Sequence, residues 1–320
     1  MEINSLQKAL AEKPWLTCDA QIKHLKSKGV SFNRTTEKDA LEYLCSNNNY
    51  FRLRSYRSGF QKKESGPDAG KYINLDFAML QDLATIDYEF RQQLLPMTID
   101  VEHYSKVELL RLAESAGEDG YSLVAGFIDE SGVDSQGDSF VLKEIDRGLK
   151  GPYTKGLIES YAHRYYPLWA FVELIPFGTF NRLWMFASKR IENIKPSRFY
   201  ELQSVKGLRN ACAHNNCVIN DMSAHKHCNH KVSNQVKSEL GQIGVGKRML
   251  ASKMQNERLQ QVASTFYLHQ LLASDQVKSY RAGELKRFKQ RMFRNKDYYG
   301  TNVQIASGFQ FIGKLIDGWY

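Results

Sequence analysis

The sequence lacks the features that mark membrane and secreted proteins. It has no apolar run of about 18 residues, the length that a membrane-spanning helix needs, because Glu173 and Pro176 interrupt its most apolar segment. Its first seven residues do not show the charged-then-apolar layout of a signal peptide. Its five cysteines follow no disulfide framework spacing and fit a reducing compartment. We therefore expect a cytoplasmic protein that does not bind membranes.

Strand-like alternation and internal repeats are also scarce, and the dominant apolar period is helical. Apolar side chains recur every three or four residues from Leu80 to Tyr104, which predicts one long helix. We expect Pro96 to kink or divide this helix and Gly117 to end it. With 42% apolar and 25% charged residues, the composition is that of an ordinary folded protein. The predicted fold class is mostly α.

Shorter signals predict four more features. We expect a helix over residues 19–28 closed by Gly29, and a helix from the Thr36/Asp39 capping box through Leu44. Residues 169–187 are apolar on several faces and predict one buried helix, and Pro196 is expected to open the next. Residues 117–156, rich in glycine and acids, are expected to form a partly loop-like insertion.

The domain organisation predicted from these patterns has three parts. An N-terminal helical region covers residues 1–70, and a helical core covers residues 71–220 with the insertion at about 117–156. A polar loop and a basic C-terminal helical region cover residues 221–320.

The segment with the most chemical information spans residues 208–215, Leu-Arg-Asn-Ala-Cys-Ala-His-Asn. Histidine exchanges protons near neutral pH, and arginine is a permanent cation suited to a phosphate that gains charge. Arg209 and His214 therefore form a minimal set for cutting RNA without a metal. The net charge of +9, from 44 basic and 35 acidic residues, favours a polyanionic partner. The alternative is that His214 only ends a helix and Arg209 is a surface cation.

Helical geometry adds a constraint on this pair. On an ideal helix, two residues five apart point roughly 140° from each other and lie roughly 7.5 Å apart along the axis. Asn210 shares a face with His214, so its amide is expected to orient the imidazole. The small residues Ala211, Cys212 and Ala213 would let another backbone approach closely. A site completed by a second copy would resolve the mismatch, and we expect a homodimer.

Two further patterns imitate cofactor sites. A cluster after the motif has zinc-ligand residue types, but its spacing fits no zinc pattern and its surroundings are polar, so we expect a solvated loop rather than a metal site; it comprises Cys217, His225, His227, Cys228 and His230. The glycine-rich residues 241–247 resemble a phosphate-binding loop, but Arg248 stands where a hydroxyl should bind Mg²⁺, so we expect a turn. No metal or other cofactor is predicted.

Basic residues next to aromatic residues occur in two places and are candidates for RNA binding. Cations hold a phosphate backbone and aromatic rings stack on unpaired bases, although an amphipathic helix with buried aromatics gives the same pattern. In the tail, the basic residues alternate with Phe288, Phe293, Tyr298 and Tyr299; they are Lys286, Arg287, Lys289, Arg291, Arg294 and Lys296. The second place has Arg52 and Arg54 beside Phe51 and Tyr56, and there we favour a structural role because both rings are expected to pack.

Family resemblance supports the RNA-cleaving interpretation. Arg-Asn-x-x-x-His at residues 209–214 resembles the signature of the HEPN superfamily, many of whose members are metal-independent ribonucleases. More specifically, the chain resembles the Abi family of bacterial abortive-infection proteins, in the AbiD/AbiF group. Four blocks carry this resemblance, at residues 49–56, 75–91, 167–179 and 208–214. Relatives often continue after the histidine with basic and aromatic residues, whereas this chain has Asn-Asn-Cys-Val-Ile.

The resemblance implies a HEPN-like helical bundle and an endoribonuclease toxin of an anti-phage or toxin–antitoxin system. It implies catalytic roles for Arg209, Asn210 and His214, with a cyclic phosphate as product. The helix that carries Glu102 and Lys106 would pack near these residues and place the pair at the site edge, although four-apart charges are most often only a surface pair. Some relatives are held inactive by a structured noncoding RNA, which is the expected partner besides the RNA substrate. The alternative function is a non-catalytic RNA-binding regulatory module.

Overall fold

The computed structural model describes residues 2–161, 165–224, 228 and 232–320. In these residues the chain is mostly α, as predicted, and contains isolated β-bridges but no strand. None of the described helices has both the length and the apolarity to cross a membrane. The α-helices are α1 (Glu2–Glu12), α2 (Cys18–Ser27), α3 (Glu37–Glu42), α4 (Tyr50–Tyr56), α5 (Phe77–Ser115), α6 (Ser122–Glu130), α7 (Phe140–Asp146), α8 (Lys155–Glu159), α9 (Leu168–Leu174), α10 (Phe177–Ala187), α11 (Ser197–Ala213), α12 (Asn234–Gln242), α13 (Lys247–Lys253), α14 (Glu257–Leu272), α15 (Asp275–Phe293) and α16 (Val303–Trp319).

The chain forms two compact units, each built from separate stretches of sequence. The first comprises Met1–Arg91, Cys217–Ser223 and Phe288–Gln310, and the second comprises Gln92–Asn216, Ala224–Arg287 and Phe311–Tyr320. The predicted domains follow the order of the chain, whereas these units interleave. Continuous helices cause the interleaving, because α5, α15 and α16 each contribute residues to both units.

The long helix α5 runs from Phe77 to Ser115 with Pro96 inside it. The predicted length is confirmed, and so is the stop, since Gly117 follows with a φ of +74°. Of the two effects predicted for Pro96, a kink or a division, the division does not occur. A proline removes one backbone hydrogen bond, but Leu94 and Met97 on either side are fully buried, so packing holds the helix together.

Three buried aspartates tie α5 to the rest of the first unit. Asp76 caps the helix, because its carboxylate accepts from the backbone N–H of Ala78 at 3.0 Å and from the Ser31 hydroxyl at 2.7 Å. Asp82 accepts from the Tyr299 hydroxyl at 2.7 Å. Asp87 forms the third and densest set of contacts.

Asp87 is completely buried and holds the segment that follows the Arg209/His214 motif in the sequence. One carboxylate oxygen accepts from the backbone N–H groups of Val218 and Ile219 at 2.7 and 2.9 Å. The other accepts from the Tyr56 hydroxyl at 2.9 Å and pairs with Arg91. A carboxylate that is so fully hydrogen-bonded fixes the backbone of residues 218 and 219.

In the second unit, α11 packs against α10 and α14. Its buried face includes Val205 and Leu208, which are 0% and 1% exposed. Gly207 allows a close approach, because a Cβ atom there would lie 2.8 Å from the Nε2 atom of Gln261 on α14. The long apolar segment 169–187 is buried, as predicted, but it forms two helices rather than one. Pro176 caps α10, where the chain turns between α9 and α10.

Three shorter sequence signals correspond to helix ends in the structure. α2 followed by Gly29, the Thr36 cap of α3 and the start of α11 after Pro196 are all confirmed. Residues 117–156 were predicted to be partly loop-like, and they contain α6 and α7 with loops between them. The glycine-rich residues 241–247 span the end of α12, a connection at 243–246 with Gly244 at a φ of +80°, and the first residue of α13, and among the described residues no strand precedes them.

Candidate active site

The Arg209/His214 motif occupies the C-terminal end of α11. Arg209 lies directly before the last turn, Asn210 begins that turn, and His214 is the residue that caps the helix. The backbone N–H of Asn216 donates to the Ala211 carbonyl at 2.8 Å, and that of Asn215 donates to the Cys212 carbonyl at 3.0 Å. These two bonds, with Asn215 at a φ of +57°, form a Schellman motif. His214 is thereby held, exposed, one residue beyond the helix.

At this end of α11, the hydrogen bonds of Asn210 and the burial of Cys212 differ from what the sequence predicted. The Asn210 amide oxygen faces the Arg209 guanidinium at 3.5 Å, the outer limit of a hydrogen bond. The hydrogen bonds of the described residues do not include one between the Asn210 amide and the His214 imidazole. Cys212 is 7% exposed and buried in its own chain, so it does not offer close approach to a second copy; Ala213 is exposed.

Arg209 has charged neighbours from two other helices of the second unit. Burial raises the pKa of the Glu102 carboxyl, and the positive charges of Lys106 and Arg209 oppose this rise, which places all three groups within electrostatic reach. Lys106 Nζ lies 3.7 Å from Glu173 Oε2 on α9, and the Lys106 side chain is only 12% exposed. Glu102 and Lys106, the pair that the family resemblance put at the site edge, are thus charged groups of α5 that act on one another and, for Glu102, on Arg209. Arg209 itself forms no ion pair with any described residue.

Sequence reasoning missed two residues of this neighbourhood. Glu173 interrupts an otherwise apolar segment, and that interruption was the signal that could have identified it. Lys206 lies three residues before Arg209, and its Nζ would be 3.5 Å from a Cβ atom at Gly178. The Lys206 side chain therefore lies against the first turn of α10, where a glycine leaves room for it. Lys106, Lys206 and Arg209 give this part of the second unit three cations.

Two members of the cysteine and histidine cluster, Cys217 and Cys228, lie in the described residues, and each thiol has a hydrogen-bond partner. His225, His227 and His230 lie outside the described residues. The Cys217 thiol accepts from the Ser55 hydroxyl at 3.2 Å, and the Cys228 thiol donates to the Gln255 carbonyl at 3.2 Å. Within the described ranges, no group of three or more histidine, cysteine or acidic side chains is arranged to hold a metal.

The basic tail covers the end of α15 and the residues after it, and two of its aromatic residues are buried while Phe293 and Tyr298 are half-buried. Phe288 is 3% exposed and stacks on Phe90, with 4.8 Å between the ring centroids, and Tyr299 is 1% exposed. Arg291 lies 2.8 Å from Asp82 and 3.5 Å from Glu89, so its charge is already matched. The candidate RNA-binding residues that stay exposed are Lys286, Arg287, Arg294 and Lys296, while Lys289 is half-buried.

In the second group of basic and aromatic residues, on α4, one aromatic ring is buried and the other is exposed. Tyr56 is buried, as expected, but Phe51 is 70% exposed, so the prediction that it packs is wrong. The Arg54 guanidinium lies 5.7 Å from the Phe51 ring centroid, and Arg54 is exposed while Arg52 is half-buried. An exposed aromatic ring beside an arginine is a surface on which an unpaired base can stack.

Comparison with protein-family models matches residues 43–220 to the family described as Abi-like protein. The match covers more than half of the chain and contains Glu102, Lys106, Arg209 and His214. No curated protein and no solved structure matches the chain.

Proposed function

Since the chain belongs to the Abi-like protein family, we propose that it is a metal-independent endoribonuclease toxin of an anti-phage defence system. The family assignment supports a role in abortive infection. The nuclease activity is inferred from the end of α11, where an arginine without an ion pair among the described residues lies five residues before an exposed histidine. This arrangement is the single observation on which the proposal depends.

In the proposed reaction the ribose 2′-oxygen attacks the adjacent phosphorus and the 5′-oxygen leaves. His214 either removes the proton of the 2′-hydroxyl or supplies one to the leaving oxygen. Arg209 stabilises the negative charge of the pentacoordinate phosphorus, and Asn210, beside Arg209, contacts the phosphate. The products are a 2′,3′-cyclic phosphate and a 5′-hydroxyl. Because the 2′-hydroxyl is the nucleophile, RNA is cut and DNA is not.

Glu102 and Lys106 support Arg209 in this proposal. The carboxylate of Glu102 acts on the guanidinium electrostatically, while Lys106 balances the negative charges of Glu102 and Glu173, so that Arg209 keeps its positive charge available for the phosphate. The exposed cations of the basic tail, with Arg54 on α4, are the proposed contacts for the RNA backbone. A structured noncoding RNA is the proposed inhibitor.

The test is direct. The purified protein is incubated with RNA in EDTA, and the fragment ends are analysed. We expect cyclic phosphate ends with the wild-type protein, and a loss of roughly 10²–10⁴-fold in rate for both His214→Ala and Arg209→Ala. Arg111→Ala, which changes an exposed arginine on α5, and His24→Ala, in the first unit, are the matched controls and should cut normally.

Three outcomes are informative. Cleavage that needs a divalent metal, or that persists in His214→Ala, contradicts the mechanism. Tight RNA binding without any cleavage identifies a non-catalytic RNA-binding module instead. Growth arrest on expression in bacteria, lost in His214→Ala but kept in His24→Ala, would connect the cleavage to toxicity.

A further inference from the structure

The second unit contains a cavity of about 260 Å³ beside the first turn of α11, at the end of the helix opposite to His214. Arg198 lines it, and His214 lies sixteen residues farther along, roughly 24 Å by the helical rise. Side chains from α5, α10, α11, α12 and α14 form the walls, and flat or apolar groups make up much of their surface. These groups are Leu112, Trp184, Tyr267 and Leu271.

An arginine lies between two carboxylates at this cavity, too far from both for hydrogen bonds. Arg198 is 4.0 Å from Glu108 and 3.7 Å from Glu201, whereas charge-assisted hydrogen bonds are about 2.7–2.9 Å long. Arg198 Nη1 and Glu108 Oε2 are buried and have no hydrogen-bond partner among the described residues. Arg198 and Glu108 both line the cavity, and the described residues include no hydrogen bond between them, so the cavity is bordered by a donor group and an acceptor group.

Glu201 is already committed, which leaves Glu108 as the free acceptor. The Ser233 hydroxyl donates to Glu201 Oε1 at 2.7 Å, and burial raises the pKa of the Glu201 carboxyl. At the rim, Lys195 and Ser197 are exposed, and the first turn of α11 has no side-chain cap on its N–H groups. The interior thus suits a planar group with adjacent donors and acceptors, and the rim suits an anion.

We infer that this cavity binds a guanine nucleotide. The ring N–H and amino group of guanine donate to the Glu108 carboxylate, and its carbonyl oxygen accepts from Arg198. The base lies against Tyr267 and the leucine side chains, and the phosphate lies near Lys195. Uracil has no amino group, and adenine has no carbonyl oxygen, so each leaves one of the two buried groups without its partner. The inference goes beyond the proposed nuclease and does not require cleavage.

The experiment uses the full-length His214→Ala protein, so that binding is measured without cutting. Titration calorimetry compares GMP with IMP, AMP, CMP and UMP. We expect GMP to bind most tightly, and IMP, which lacks only the amino group, to bind about tenfold more weakly or worse. Glu108→Gln should remove the preference for GMP over IMP. Glu114→Gln, an exposed glutamate on the same helix, is the matched control and should keep it.

A second variant tests the site without changing its charges. Leu271 lines the cavity and is 49% exposed, so Leu271→Trp is expected to fold and to fill the space. It should abolish GMP binding, whereas Leu149→Trp, at a leucine that is 38% exposed elsewhere, should not. Thermal melting confirms that each variant is folded. GMP binding that is unchanged in both Glu108→Gln and Leu271→Trp, or no saturable GMP binding at all, overturns the inference.

Two further measurements identify the source of the guanine that the cavity binds. If GMP displaces a labelled RNA from the protein, the pocket takes a guanosine of the RNA. If GMP changes RNA cleavage by the wild-type protein without displacing RNA, the ligand is a free nucleotide that regulates the enzyme. Since binding is measured on His214→Ala, failure of the nuclease proposal would leave this result standing.

Discussion

The backbone N–H of Asn216 donates a hydrogen bond to the carbonyl oxygen of Ala211 at 2.8 Å, and this bond closes the end of α11 directly after His214. The closure depends on Asn215, which has a φ of +57°. Asparagine and glycine adopt this left-handed conformation more readily than other residues. The position of the candidate catalytic histidine is therefore determined by the residue that follows it.

This dependence gives the first prediction. Asn215→Val should lower RNA cleavage strongly and destabilise the second unit by about 1–3 kcal/mol, because a β-branched residue is strained at this φ. Asn215→Gly keeps the conformation accessible and should retain most of the activity. Cleavage rates and urea unfolding of the two variants measure the difference. Equal behaviour of the two variants would contradict a role for the helix end in placing His214.

The second prediction concerns the charges around Arg209. Lys106→Met removes the cation that balances Glu102 and Glu173, so both carboxylates should then draw on Arg209 and cleavage should fall about 5- to 150-fold. Adding Glu102→Gln to Lys106→Met should restore part of the rate, since it removes one of these carboxylates. A cycle of single and double variants measures the coupling. Strictly additive losses would show that Lys106 acts independently of Glu102.

The local sequence predicted where the helices of the site begin and which residues share a helix face. It did not predict which side chains of other helices lie beside them. Pro196 marked the start of α11, because helix starts are coded by adjacent residues. The four-residue spacing of Glu102 and Lys106 put them on one helix face, and the family resemblance placed that face near Arg209. Glu173 and Lys206 were not predicted, because their positions depend on how α9 and α10 pack against other helices, which no local pattern encodes.

The same distinction explains the errors. Phe51 was expected to pack because aromatic residues usually do, yet it is 70% exposed, and burial depends on neighbours distant in sequence. The division of the apolar segment 169–187 was missed because burial on all faces hides helical periodicity. Arg291 and Asp82 form an ion pair although they are more than two hundred positions apart in the sequence. The run of basic residues in the tail could not reveal this partner.

A third prediction tests how Asp87 holds the segment that follows the Arg209/His214 motif. Asp87→Asn should destabilise the first unit by about 3–5 kcal/mol, because it removes a buried charge that pairs with Arg91 and accepts from the backbone of Val218 and Ile219. Tyr56→Phe removes only one hydrogen bond to this carboxylate and should cost about 1.5–3 kcal/mol. Urea denaturation measures both. A smaller loss for Asp87→Asn than for Tyr56→Phe would contradict this assignment.

The fourth prediction separates structure from RNA binding in the basic tail. Arg294→Gln and Lys286→Gln change exposed cations, and together they should weaken RNA binding and flatten its dependence on salt, because fewer counterions are released. Arg291→Gln should instead lower the unfolding free energy while leaving the salt dependence nearly unchanged, since Arg291 already pairs with Asp82 and Glu89. Binding isotherms across a salt series, with melting curves, distinguish the two effects. A steeper loss of affinity for Arg291→Gln than for the exposed pair would reverse the assignment.

The last prediction addresses the proposed homodimer. On a single helix Arg209 and His214 point in different directions, and the exposed Ala213 lies next to His214 where a second copy would approach. If each catalytic centre takes Arg209 from one chain and His214 from the other, Arg209→Ala and His214→Ala proteins should each be inactive and regain partial activity when mixed. Each variant mixed with itself is the control. Ala213→Trp should lose dimerisation and cleavage together, with light scattering as the measurement of mass. A wild-type protein that is fully active as a monomer would refute the shared site, because one chain would then supply both groups to the phosphate.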